Sequence, residues 1–121
     1  MRKIITFGLL ITLLLPAMAF ADRLHPKRWY QERWCAKYFD IAEVSVSDQY
    51  DCLSEKYVIE FDYADKWYES IGESLHYALQ TSRKACIVLI MEKESDVKYW
   101  IKLKKTIKHY SLPIDVWNTS P

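Results

Sequence analysis

The chain has 121 residues, of which 50% are hydrophobic and 15% are aromatic, with 17 basic and 16 acidic side chains. This composition excludes an intrinsically disordered chain, because it offers enough apolar surface to form a core. The net charge of +1 argues against a general polyanion-binding protein, because such proteins carry a large basic excess. A chain of this length fits one domain with a modest core.

The N-terminal segment has the pattern of a cleavable export signal. Arg2 and Lys3 precede an apolar run at residues 4–15, and the small-x-small sequence Ala19-Phe20-Ala21 follows it. We expect cleavage before Asp22. An uncleaved membrane anchor is the alternative, but a span needs about 20 apolar residues and this run is shorter.

The sequence Ala17-Met18-Ala19 is the second candidate, with cleavage before Phe20. The favoured site divides the chain into a signal peptide at residues 1–21 and a single domain at residues 22–121. No later segment is apolar enough to span a bilayer, so no stable membrane span is expected after cleavage. The pattern therefore predicts an exported protein that is periplasmic or secreted.

The first half of the mature chain predicts one helix and three short strands. Aromatic residues at helical spacing predict a helix from Pro26 to about residue 39. Strands are expected at residues 43–46, 49–53 and 57–63, and the short turn between the last two predicts antiparallel pairing. Apolar residues occupy the odd positions of the third strand, so Glu60 and Asp62 project together from its other face.

The second half alternates helices and strands. We expect a helix at residues 65–81, a buried strand at 86–91, a helix capped by Ser95 that runs to about residue 109, and a strand at 113–117. The first helix should bury Trp67, Ile71, Leu75, Ala78 and Leu79. The second should bury Val97, Trp100, Ile101 and Ile107. This order predicts an α/β (α+β) fold with a mixed four- to five-stranded sheet flanked by helices on both faces.

Three cysteines, Cys35, Cys52 and Cys86, allow three different single disulfides in an oxidising compartment. Cys86 opens a run that predicts a buried central strand, where a free cysteine acts as a small core residue. The segments around Cys35 and Cys52 are expected to be neighbours, so we favour that pair. No histidine is placed to activate a cysteine nucleophile, and no cysteine or histidine spacing indicates zinc.

Carboxylates concentrate on the three predicted strands, at Glu43, Asp51, Glu60 and Asp62. Carboxylates that lie close together repel one another, and a divalent cation such as Mg²⁺ or Mn²⁺ removes that cost. A bound metal would also activate water for attack on a phosphate, and Lys66 is near enough in sequence to orient or deprotonate that water. The alternative is that the charges line the solvent-exposed face of an antiparallel sheet.

Part of the chain resembles a known family. Asp51-Cys52-Leu53 and the segment Glu60-Phe61-Asp62-Tyr63-Ala64-Asp65-Lys66-Trp67 resemble a family of small bacterial proteins. These look related to the PD-(D/E)xK nuclease superfamily, in its Holliday-junction-resolvase-like branch. The resemblance runs from about residue 34 to residue 90 and implies a restriction-endonuclease-like fold.

The resemblance also implies roles for individual residues. Asp51 matches the motif aspartate and Glu60 the motif glutamate, with Glu43 as an additional metal ligand. Asp62 stands where the motif usually has lysine, so Lys66 is expected to supply the missing amine.

Together these features predict an exported nuclease that uses Mg²⁺ or Mn²⁺ to hydrolyse DNA or RNA. Asp51, Glu60 and Lys66 would be the catalytic residues, and Glu43 and Asp62 would assist in holding the metal. The alternative function is a non-catalytic module that keeps the fold and binds an envelope or extracellular protein. Export favours foreign or extracellular nucleic acid as the substrate, because a nuclease for the cell's own DNA would remain in the cytoplasm.

Overall fold

The computed structural model describes residues 22–39 and 52–121, which form three helices and a four-stranded mixed sheet. The elements are α1 (Lys27–Tyr38), β1 (Cys52–Leu53), β2 (Tyr57–Tyr63), α2 (Trp67–Thr81), β3 (Lys84–Ile90), α3 (Val97–His109) and β4 (Ile114–Thr119). Single turns of 3-10 helix lead into α2 and α3. None of the helices in the two described ranges is long and apolar enough to cross a membrane.

The predicted α+β class is confirmed in this coarse form. The helix expected from Pro26, the strand expected at 57–63 and the alternating second half all lie within a few residues of their predicted bounds. The strand expected at 43–46 and the first part of the one at 49–53 lie outside the described residues, as does the predicted signal peptide.

The strands lie in the order β1-β2-β3-β4. The first pair is antiparallel, as predicted from the short turn, with Cys52 opposite Ile59. The other two pairs are parallel, so α2 and α3 are crossover connections. Residues 85–90 of β3 are all at most 1% exposed, which confirms the prediction of a buried central strand.

Two hydrophobic cores lie on opposite faces of the sheet. The first packs α1 against one face, where Tyr30 and Trp34 contact Ile59 and Phe61 of β2. The second packs α2 and α3 against the other face, around Leu103. Helices on both faces were expected, and the continuous apolar run of β3 explains them, because successive side chains point to opposite faces and so contribute to both cores.

The disulfide predicted between Cys35 and Cys52 is present, and it joins α1 to β1 across a sequence separation of 17 with the Cα atoms 6.8 Å apart. Cys86 is a free, buried cysteine, also as predicted. Burial raises the pKa of the Cys86 thiol far above its ordinary value. Cys86 is therefore a core residue with little thiolate character.

The predicted buried stripe of α2 is wrong at one end. Leu79 is 80% exposed, whereas Ser70 and Ser74 are the residues buried against the sheet. Each serine hydroxyl donates to a carbonyl of its own helix, Ser70 to Trp67 and Ser74 to Ile71. Because these side chains are small and internally hydrogen-bonded, they let the helix axis lie close to the sheet.

The predicted buried side of α3 is also partly wrong. Leu103 is fully buried, but Val97 and Ile101 are each 46% exposed. The expected Ser95 cap is also incorrect, because the carboxylate of Asp96 instead accepts the backbone N–H groups of Glu92 and Lys93 at 3.0 and 3.1 Å. A carboxylate in this position stabilises the start of a helix.

Candidate metal centre

Three carboxylates converge beside β2. Glu60 and Asp62 project from the same face of that strand, and Glu73 approaches from α2. One carboxylate oxygen from each residue lies within 4.8 Å of the other two. The period-2 prediction that Glu60 and Asp62 share a face is thus confirmed, and tertiary packing adds a third acid that was not among the predicted ligands.

Glu60 is the least accessible member of this cluster. Only 3% of the residue is exposed, while Asp62 is half-buried and Glu73 is exposed. The face of β2 that carries Glu60 is therefore covered by α2 and is not a solvent-exposed face. Burying a carboxylate is costly unless a cation or hydrogen bonds compensate for lost water.

A cation that faces Glu60 comes from a distant part of the chain. Lys27, the first residue of α1, places Nζ at 3.7 Å from Oε1 of Glu60. The lysine side chain is 37% exposed, whereas the glutamate side chain is 4% exposed. The pair therefore joins a buried acid to an amine that still reaches solvent.

Lys66, the lysine expected to act on water, lies at the end of the 3-10 turn before α2. Its Nζ is 3.9 Å from Oε1 of Glu69 and its side chain is 46% exposed. Asp51 and Glu43, the other expected metal ligands, lie outside the described residues. The predicted roles of Asp51, Glu43 and Lys66 therefore stay predictions.

The arrangement has the chemistry of a site for a hard divalent cation. Oxygen ligands from carboxylates suit Mg²⁺ or Mn²⁺, which usually retain water for the remaining positions. Carboxylates held within 4.8 Å of one another repel, and a bound cation would remove that repulsion. The cluster also lies in the C-terminal half of a strand, where open α/β sheets commonly bind ligands.

An N-terminal segment, residues 23–25, is fixed beside the cluster by Asp65. Nη1 and Nη2 of Arg23 each donate to one of the two carboxylate oxygens, at 2.7 and 3.1 Å. The guanidinium also lies 3.8 Å from the centre of the Tyr63 ring. The hydrogen bond and charge of Arg23 lower the pKa of Asp65 below its ordinary value.

Glu92, just after β3, holds the same segment from the other side. Its Oε2 accepts the backbone N–H groups of Leu24 and His25 at 3.0 and 3.2 Å, and it also accepts the hydroxyl of Tyr30. Burial, reinforced by the hydrogen bond to Glu92, raises the pKa of Tyr30.

Tyr63 completes the attachment of this segment. Its hydroxyl donates to the carbonyl of His25 at 2.7 Å. Burial, together with the charge of Glu92, raises the pKa of this tyrosine, so it remains a donor at neutral pH. The contacts fix the chain two residues before Lys27, so they also position the lysine that faces Glu60.

Sequence reasoning missed Glu73, the third member of the cluster, and Lys27, the cation that faces Glu60. Glu73 lies outside the apolar stripe predicted for α2, so the helical pattern did not relate it to Glu60 and Asp62. No local pattern relates Lys27 to Glu60, because the two residues are 33 positions apart and lie on different elements. Only the placement of α1 beside the edge of the sheet brings them together.

No known protein-family model, curated protein or solved structure matches the chain. The relationship to the PD-(D/E)xK superfamily, and with it the restriction-endonuclease-like form of the fold, therefore stays a prediction. The function of the protein is accordingly inferred from the geometry of the carboxylate cluster and from the chemistry of its residues.

Proposed function

We propose that the protein is an exported, metal-dependent hydrolase of phosphodiester bonds in DNA or RNA. The observation that supports this function most directly is the convergence of Glu60, Asp62 and Glu73 to within 4.8 Å. The segment around Glu60 resembles small bacterial proteins that look related to PD-(D/E)xK nucleases, and this resemblance suggests the reaction class. The disulfide agrees with an oxidising compartment.

In this proposal the three carboxylates hold Mg²⁺ or Mn²⁺, and the predicted ligands Asp51 and Glu43 complete the set. The bound ion would activate water and stabilise the leaving oxygen. Burial keeps Glu60 in one orientation, while exposed Glu73 leaves an open side for substrate. This combination of fixed and accessible ligands is what a catalytic metal site requires.

Lys27 is a candidate for the role that the resemblance expects of a lysine. Its Nζ lies 3.7 Å from the buried carboxylate, so it can orient water near the ion or neutralise charge that develops on the phosphate. The contacts of Arg23 and Glu92 restrict the segment before it. Lys66 is the alternative amine, because it follows Asp62 closely in sequence.

The experiment that tests this proposal is cleavage by the oxidised protein of plasmid DNA, branched DNA and RNA, with Mg²⁺, Mn²⁺ or EDTA. We expect cleavage that requires metal. Asp62→Asn and Glu73→Gln should each reduce the rate by about 100-fold or more, because each removes a charged ligand. Glu94→Gln is the matched control, since exposed Glu94 leads into α3, outside the cluster, and should leave the rate unchanged.

The two candidate lysines are separated by Lys27→Met and Lys66→Met in the same assay. Loss of cleavage in Lys27→Met alone would identify Lys27 of α1 as the catalytic amine. Loss in Lys66→Met alone would identify Lys66, the lysine expected from the motif. If neither substitution nor the carboxylate variants change any cleavage observed, the cluster is not the active site.

Metal binding has a readout that does not depend on activity. A ligand that binds only the folded state at 100 times its dissociation constant raises the free energy of unfolding by about 2.7 kcal/mol. We therefore expect Mg²⁺ or Mn²⁺ to raise the melting temperature of the wild type but not of Asp62→Asn. Absence of both a metal-dependent shift and cleavage would favour the non-catalytic interaction module.

A further inference from the structure

The outer edge of β4 is a second surface with specific chemistry. In the sheet formed by the described strands, β4 is the last strand and pairs only with β3. An edge strand presents backbone N–H and C=O groups that another extended chain can pair with. The side chains above and below this edge therefore decide which chain fits.

On the α3 side, the edge borders a shallow cavity of about 360 Å³. Ile107 and Val116 supply its apolar part, and the lysines that line it are Lys104, Lys105 and Lys108. The cavity suits a side chain that combines methylene groups with a negative charge. Glutamate has that combination, because its methylene groups cover apolar surface while its carboxylate reaches the amines.

These lysines are available for such a contact. Within residues 22–39 and 52–121, neither Lys105 nor Lys108 forms an ion pair, and the amine of Lys104 lies over the ring of Trp100 at 5.3 Å. The whole of α3 contains no acidic residue. The positive charge at this edge is thus not balanced by neighbouring side chains of its own helix.

On the α1 side, β4 contributes one wall of a cavity with aromatic walls that lies over the sheet beneath α1. It measures about 210 Å³, and its lining is Trp34, Tyr38, Phe39, Tyr57, Cys86 and Trp117. Trp117 lies on β4 itself and is 41% exposed. The neighbouring acid on this side, Asp115, is paired with Lys84 at 2.9 Å. This side therefore suits an aliphatic or aromatic side chain.

We infer that the outer edge of β4 binds an extended segment of a partner protein in which acidic residues alternate with aliphatic or aromatic residues. Successive side chains of a strand point to opposite faces, so acids would meet the lysines of α3 while apolar residues meet the exposed ring of Trp117. A second copy of this chain fits poorly, because pairing two β4 edges would bring both sets of lysines together. The inference does not depend on the proposed hydrolase function.

The first test uses a fluorescent octapeptide of alternating glutamate and leucine, with binding to the oxidised protein followed by anisotropy. Two further peptides carry N-methyl groups on every second amide, one in each register. Strand pairing uses only alternate amides, so one methylated peptide should lose binding and the other should keep it. Equal binding of both, or no binding of the parent peptide, would overturn the inference.

The second test changes the charge of the edge. Lys105→Glu/Lys108→Glu should weaken binding of the parent peptide by about tenfold, since two attractions become repulsions. Lys98→Glu/Lys102→Glu is the matched control, because it makes the same charge change on α3 outside the cavity and should have little effect. Circular dichroism checks that both variants remain folded. Equal weakening in both would also contradict the inference.

An octameric oligodeoxynucleotide with the same label identifies the alternative ligand. If it binds in a manner that depends on Lys105 and Lys108 while the peptide does not bind, the surface recognises nucleic acid and the peptide inference is wrong. Peptide binding with the expected register and charge dependence supports the inference, whatever the activity assays of the metal centre give.

Discussion

The two faces of the sheet differ in what they bury. The face under α1 is closed by aromatic and aliphatic side chains and by the disulfide between Cys35 and Cys52. The face under α2 has apolar contacts on one side of the helix, but it also buries Ser70, Ser74 and Glu60. One face therefore contributes most to stability, while the other tolerates polar groups that a function would require.

This difference follows from the residues that α1 and α2 present. α1 brings large rings to the sheet, and each fully buried ring removes much apolar area from water. α2 brings small hydroxyl groups, which let the helix lie close to β2 while Glu73 meets Glu60 and Asp62. The carboxylate cluster thus lowers the stability of the fold locally, beside a well-packed core.

The largest effect should come from breaking the α1 face. Phe61 is fully buried there and its ring meets that of Trp34 edge-on, with the centroids 5.7 Å apart. We expect Phe61→Ala to lower the free energy of unfolding by about 3 to 5 kcal/mol. Ser70→Ala, on the opposite face, should change it by only about 1 kcal/mol. Urea denaturation measures both, and similar losses would contradict the comparison.

A smaller loss is expected from removing the disulfide. For a sequence separation of 17, the chain-entropy relation gives about 3 kcal/mol. Cys35→Ser/Cys52→Ser should therefore unfold at lower urea concentration than the wild type, and a reductant should shift only the wild type. Alkylation supplies the control, since buried Cys86 should react only after unfolding. A wild type whose urea midpoint is insensitive to reductant would show that the bridge contributes little.

The smallest effect should come from the ion pair between Arg23 and Asp65 beside the carboxylate cluster, and it depends on pH. Arg23 lowers the pKa of Asp65 from 3.8, so the pair stabilises the folded state fully above that pH. The stabilisation is lost as the pH falls through the lower folded-state pKa.

Arg23→Gln should therefore reduce the free energy of unfolding at neutral pH by no more than about 1 kcal/mol, because both groups are partly exposed. The difference from the wild type should shrink toward zero in acid, and thermal melting across pH measures it. A difference that grows as the pH falls would show that Arg23 acts through another partner.

Much of the fold was predictable because its signals are local. The alternation in β2 placed Glu60 and Asp62 on one face, and the apolar run from Cys86 identified the central strand. Helix rotation was less predictable, as Leu79 and Ile101 show. Periodicity locates an apolar stripe, but the packing partner decides which part of that stripe is buried.

The sequence by itself determined that Glu60 and Asp62 share one face of a strand and that Cys86 is a buried core residue, and it favoured Cys35–Cys52 among three possible disulfides. Only the tertiary structure decided that Glu73 completes the cluster and that Lys27 faces Glu60. The physical reason is the distance along the chain over which each contact forms. Alternation along one strand is fixed by backbone geometry, whereas contacts between α1, β2 and α2 depend on how their surfaces pack together.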